Sequence, residues 1–167
     1  YNVICVSNNI IKKREFIIYF LIIFIALLID FLGNYPFYSH NDLNDSIKQV
    51  LTYKYNDWHP FFYTFTMVKI PYLFYKNIAS CIVAQYIVII SVLLYFCYFM
   101  RKYFLNFKWS SILLTFIVLN PNFLTTSVFI TKDVPFAYFM MLGTMFLIEI
   151  YLSKGKWLDK KINKFLF

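Results

Sequence analysis

Charge is what this sequence has least of. Of its 167 residues only 14% are Asp, Glu, Lys or Arg, against 61% apolar, where a soluble domain carries about 25% and about 45–50%. Folded as one water-facing globule, the chain would leave large apolar patches exposed. A soluble domain is excluded. Histidine and cysteine are also scarce. His40 and His59 stand far apart, and Cys5, Cys81 and Cys97 form neither a CxxC pair nor any metal-type spacing, which excludes a zinc site. Cys81 and Cys97 lie inside an apolar run and read as small hydrophobes. Glycine occurs three times, with no repeat and no low-complexity linker.

Acid is the scarcer sign: 8 acidic residues face 16 basic ones, for a net charge of +8. Such an excess raises the question of nucleic acid. Here, however, Lys and Arg sit between apolar runs without a basic, glycine-rich or aromatic RNA-reading motif, and orientation in an anionic bilayer accounts for them. No nucleic-acid partner is expected; the lipid bilayer is. What the chain has in plenty is Phe (21) and Tyr (15), which suits lipid-facing surfaces and interfacial belts.

Four segments are apolar and long enough to span a bilayer, which takes about 20 residues at about 1.5 Å each. Phe16–Leu32 carries only Asp30 and follows Lys12, Lys13 and Arg14; without a small-residue cleavage site it reads as an uncleaved anchor. Ile78–Met100 holds no charge and precedes Arg101, Lys102 and Lys108. Trp109–Ile130 is interrupted by Asn120-Pro121-Asn122, where proline breaks or kinks a helix. Val134–Leu152 ends in Lys154, Lys156, Lys160, Lys161 and Lys164. Phe61–Tyr75, with Lys69 and Pro71 inside it, is too short and suits an interfacial or re-entrant helix.

If 61–75 does not cross, all three basic clusters share one side, as the positive-inside rule favours. The expected architecture is all-α and polytopic: about four spans plus external amphipathic helices, in a multi-pass protein of the cell membrane with both termini cytoplasmic. Residues 1–15 form a cytoplasmic segment, 16–152 the transmembrane domain with its first external loop at 33–77, and 153–167 a basic cytoplasmic tail. Asp30, Asp42, Asp45, Asp57 and Asp133 then collect on the external face.

Within that loop, residues 42–53 have a helical pattern. Leu43, Ile47, Val50, Leu51 and Lys54 recur at three and four, Asn41 or Asp42 stands at the cap position, and Asp42, Asp45 and Gln49 share a neighbouring face. Asp57-Trp58-His59-Pro60 closes the loop, with proline placed to start the next helix. Carboxylates together with His59 and Lys132 suit a reaction that deprotonates a hydroxyl and stabilises a departing phosphate.

The set Tyr35-Pro36, Asp42-Leu43-Asn44-Asp45, Gln49, Asp57-Trp58-His59-Pro60 and Thr131-Lys132-Asp133 resembles polytopic bacterial membrane proteins of the C-type glycosyltransferase superfamily. More narrowly it resembles a family common in Gram-positive bacteria with the pattern YPG-x-x-x-x-D…Q…DWHP…(T)KD, over about residues 31–151. The resemblance implies sugar transfer from a polyprenyl-phosphate carrier on the outer face. It matches Asp42 to the family's active-site acid, Asp45 to the second of a D-x-x-D pair, and His59, Lys132 and Asp133 to motif positions. Phe37 stands where the family commonly has glycine, so a different local turn is expected. Full members carry further spans, so the chain is expected to be an N-terminal fragment, with missing helices or other membrane proteins as partners.

Each candidate keeps a plainer alternative. Asp42 is a general base for the acceptor hydroxyl or a helix cap. Asp45 is a second acid or metal ligand, or part of a solvated face. His59 binds phosphate or a metal, or is a turn residue, and Asp57 stands beside it in support. Lys132 neutralises the donor's phosphate or meets lipid phosphate, with Asp133 holding it. A divalent cation, Mg or Mn, is possible on Asp42, Asp45 or Asp133 through hard oxygen ligands. Glu149 snorkels or pairs with a nearby Lys, and Gln85 is an interhelical hydrogen-bonder. Two other functions compete: a non-catalytic membrane subunit or inactive remnant, and a small transporter. The latter requires charges buried mid-span, which the four segments lack.

Overall fold

The computed structural model describes residues 12–35, 37, 41–54 and 61–159, with the side chains of Asp42 and Asp159 outside the description. The described residues are almost wholly helical and contain no strand. In chain order they form α1 (Lys13–Asn34), α2 (Asn41–Thr52), α3 (Phe61–Tyr63), a π-helical stretch (Thr64–Lys69), α4 (Ile70–Phe74), α5 (Ile78–Tyr103), α6 (Phe107–Val118), α7 (Pro121–Val128), α8 (Asp133–Leu152) and a 3-10 turn (Lys156–Asp159).

Three helices, α1, α5 and α8, are long and apolar enough to cross a membrane, and the pair α6–α7, bent by 60°, makes a fourth crossing if counted as one. The bend lies at the Asn-Pro-Asn interruption and has a local cause. Pro121 takes the first position of α7, where its missing N–H costs nothing, and the Asn120 side chain accepts from Asn122 N at 2.9 Å. A new helix starts there.

Side-chain pairs fix the direction of each helix. Glu15 at the start of α1 meets Arg101 at the end of α5 (3.2 Å), and Lys102 meets Glu149 at the end of α8 (2.9 Å). At the opposite end Asp30 meets Tyr86 and Ser127. Hence α1 runs with α6–α7, joined also by a Tyr19–Ser110 hydrogen bond, and both run against α5 and α8. The basic clusters that lie within the description, 12–14, 101–108 and 154–156, therefore share one end. Residues 41–54 and 70–77 and the 131–133 corner share the other. Asp30, Arg101 and Glu149 are buried, each within about a turn of its helix end, so none is a mid-span charge.

The segment from Phe61 to Phe74 is about 21 Å long at about 1.5 Å per residue, short of a roughly 30 Å hydrocarbon core. It returns to the end it left. Pro71 cannot donate to the preceding turn, and the register relaxes ahead of it: Ile70 N donates to Phe65 O, five residues back. Phe61, Phe62, Leu73 and Phe74 stay exposed, while Val68 is buried and Lys69 Nζ lies 5.1 Å from the Tyr53 ring.

Two expectations change. In α2 the inward stripe is Leu43, Ser46 and Val50, with Gln49 buried beside it, whereas Asp45, Leu51 and Lys54 are exposed. Gln49, one turn on from Asp45, is thus buried where Asp45 is exposed, and α2 packs on the π-helical stretch. At Phe37 the backbone has φ 70°, the left-handed conformation that glycine adopts freely. The turn keeps a glycine-like backbone despite its side chain. Burial of the ring against Phe31 and Tyr35 (centroids at 4.8 and 5.6 Å) offsets the strain.

Candidate functional site

The polar end is assembled around a buried acid. Asp30 Oδ2 accepts from Tyr86 Oη at 2.8 Å and from Ser127 Oγ at 2.6 Å, and Oδ1 accepts from Asn34 Nδ2 at 3.0 Å. From the residue before Tyr86, Gln85 Nε2 donates to Ser127 O (2.7 Å) and Phe129 O (3.0 Å). The last carbonyls of a helix have no partner within it, so Gln85 satisfies the end of α7 from outside. Together these bonds tie α1, α5 and α7 and fix where the chain enters Thr131-Lys132-Asp133. Gln85 is the interhelical hydrogen-bonder its isolation in an apolar run suggested. Asp30 was legible only as the single charge in its span, since its partners lie far along the chain.

Asp133 is exposed as the first residue of α8, and Lys132 is half-buried at the position before it. A carboxylate in the first turn of a helix is also favoured by the helix dipole, so Asp133 stabilises α8 whatever else it does. Beside it opens a cleft of about 750 Å³ between α6–α7 and α8, floored by Leu93 of α5. Thr126, Thr131 and Asp133 line its outer part, and Ile117, Val134, Ala137 and Met141 carry it towards the middle of the bundle.

Asp42 occupies the second position of α2. The next residue, Leu43, is buried and lines a small cavity of about 140 Å³ with Asn34, Ile82, Thr125 and Ile130. The start of α2 therefore lies at the end of the bundle that carries Lys132 and Asp133. Asp45 faces outward from this corner and is exposed. Asp57 and His59 lie outside the described residues. Among the described residues no three His, Cys, Asp or Glu gather as a metal site, and the two described candidate ligands, Asp45 and Asp133, are both exposed.

One polar group escaped the sequence reading. Thr64, fully buried at the start of the π-helical stretch, has a hydroxyl with no hydrogen-bond partner among the described residues. No family model matches the chain, and neither a curated protein nor a solved structure is significantly similar to it.

Proposed function

We propose that this chain carries out, or forms part of the machinery for, transfer of a sugar from a polyprenyl-phosphate donor to an acceptor hydroxyl on the non-cytoplasmic face of the cell membrane. The cleft beside α8 carries the reading. Its outer part is polar (Thr126, Thr131, Asp133, with Lys132 adjoining) and its depth is apolar, which matches an amphiphile with phosphate at the interface and isoprenoid in the hydrocarbon. The orientation proposed with it puts the basic end in the cytoplasm, following the positive-inside rule.

In this reading the acceptor oxygen attacks the anomeric carbon from the face opposite the phosphate. Its C–O bond forms as the bond to the phosphate oxygen breaks, the configuration inverts, and polyprenyl phosphate leaves with the bonding electrons. The acceptor's proton passes to the Asp42 carboxylate. Lys132 offsets the charge that grows on the leaving phosphate, a pairing strengthened where water is scarce. His59 joins Lys132 in binding the donor phosphate, and Asp45, Asp57 and Asp133 support the site.

The test is transfer from a labelled polyprenyl-phosphate sugar by reconstituted protein. Asp42→Asn keeps the size and hydrogen-bonding capacity of the side chain at the second position of α2 but removes the base, and should lower turnover by about 10²–10⁴-fold. Turnover equal to the parent's would remove Asp42 from the chemistry. Transfer by neither protein would favour the non-catalytic membrane subunit.

A further inference from the structure

We propose that the flank between α5 and α8 at the basic end binds one anionic phospholipid, with its acyl chain in a cavity and its phosphate at a lysine rim. The cavity measures about 510 Å³. Val88, Leu142 and Phe146 give it apolar walls, and Tyr95, Lys102 and Glu149 a polar floor. Ile87 and Phe139 at its sides are exposed, so it opens on the apolar outer surface of the bundle, where the hydrocarbon of a bilayer lies. The proposal is independent of the sugar-transfer reading, whose cleft lies on the other flank of α8.

Charge decides the class of ligand. Glu149 is buried, and its two oxygens accept from Lys102 Nζ (2.9 Å) and Tyr95 Oη (2.8 Å). The acid is satisfied from within and presents no charge outward. Basic side chains stand at this end: Lys102, which lines the cavity, keeps 28% of its side-chain surface exposed, and Lys154 and Lys156, just before the cavity-lining Trp157, are exposed on either side of Gly155.

Those two lysines are not on a loose tail. Lys154 and Gly155 both take positive φ, Gly155 N donates to Ile150 O at 2.9 Å and Lys154 N to Tyr151 O at 3.1 Å, the paired closure that ends a helix firmly. Trp157 follows at once, buried with its ring 5.2 Å from that of Phe146, and lines the same cavity. A held lysine pair beside an apolar cavity with an aromatic wall fits a lipid phosphate above an acyl chain. A zwitterionic headgroup would bring its own cation among the lysines. A neutral one would leave them uncompensated.

Trp157 supplies the readout. The full chain carrying Trp58→Phe and Trp109→Phe is placed in phosphatidylcholine nanodiscs and titrated with acyl-brominated phosphatidylglycerol or acyl-brominated phosphatidylcholine. A basic residue at an anionic surface is worth about a fivefold preference. Brominated phosphatidylglycerol should therefore quench Trp157 at a mole fraction at least about fivefold lower, and Lys154→Gln/Lys156→Gln should abolish the difference. Lys12→Gln/Lys13→Gln, at the same end but away from the cavity, should leave it intact. Equal quenching by the two lipids overturns the proposal. So does an equal loss in both double variants, which would mean the diffuse field of the basic end, and so does no quenching by either lipid, which would mean that protein fills the flank.

Discussion

Asp30 holds the polar end together by accepting from Asn34, Tyr86 and Ser127. Tyr86 Oη reaches its carboxyl at 2.8 Å inside the bundle, and a buried donor stripped of its acceptor costs about 1–3 kcal/mol. Ser127 is partly insured, since its Oγ also donates to Leu124 O. Asp30→Leu should therefore lower stability by about 3 kcal/mol, and Asp30→Asn, which keeps one carbonyl acceptor, by about 1 kcal/mol. Thermal unfolding in detergent separates the two; equal midpoints would mean that the network contributes nothing. Phe37 poses the opposite problem, a side chain where the backbone suits glycine. Relief of the left-handed strain in Phe37→Gly returns about 1–2 kcal/mol, whereas losing a buried ring costs about 3–5 kcal/mol. The variant should be less stable by about 2 kcal/mol, and a more stable one would show that the ring packs poorly.

At the scale of the element, the hinge between α6 and α7 depends on one side chain. Asn120→Ala removes the acceptor for Asn122 N and should cost about 1 kcal/mol, read as a lower unfolding midpoint. Gln85→Leu releases the carbonyls of Ser127 and Phe129. Interhelical side-chain bonds of this kind are worth about 0.6–1.7 kcal/mol, and the looser corner should raise the thiol-labelling rate of Lys132→Cys in the same background; an unchanged rate would show that α8 is placed by packing alone. The elements that the sequence announces have causes within a few residues. The spans follow from length and missing charge, the break from Asn120-Pro121, the short non-crossing segment from Lys69 and Pro71. What it conceals depends on partners far along the chain. Nothing near Glu149 predicts that Lys102 and Tyr95, rather than Lys154 or Lys156, satisfy it. Asp45 and Gln49 sit one turn apart on α2, yet Gln49 is buried and Asp45 exposed, a difference that tertiary packing sets. The candidate site is legible in the same uneven way: its residue types and its end of the bundle follow from motif and topology, while the cleft beside α8 exists only because α6–α7 bends.

The molecule as a whole rests on two ends of opposite character. Ion pairs gather the starts and finishes of α1, α5 and α8 at the basic end, and the Asp30 network gathers the rest. An odd number of crossings between residues 35 and 77 would separate Lys12–Glu15 from Arg101 by the thickness of the bilayer, and the Glu15–Arg101 contact forbids it. Single cysteines convert this into a measurement, once the native Cys5, Cys81 and Cys97 are replaced. Asp45→Cys and Asp133→Cys, both exposed at the polar end, should react with a membrane-impermeant maleimide added to intact cells. Lys108→Cys and Lys154→Cys, exposed at the basic end, should react only after the membrane is opened. The positive-inside rule sets which end is which, so reversal of all four signals would invert the protein while leaving its fold intact. Labelling that divided Asp45→Cys from Asp133→Cys is the graver result, because α2 and the α7–α8 corner would then lie on opposite sides of the membrane. No sugar donor could touch both.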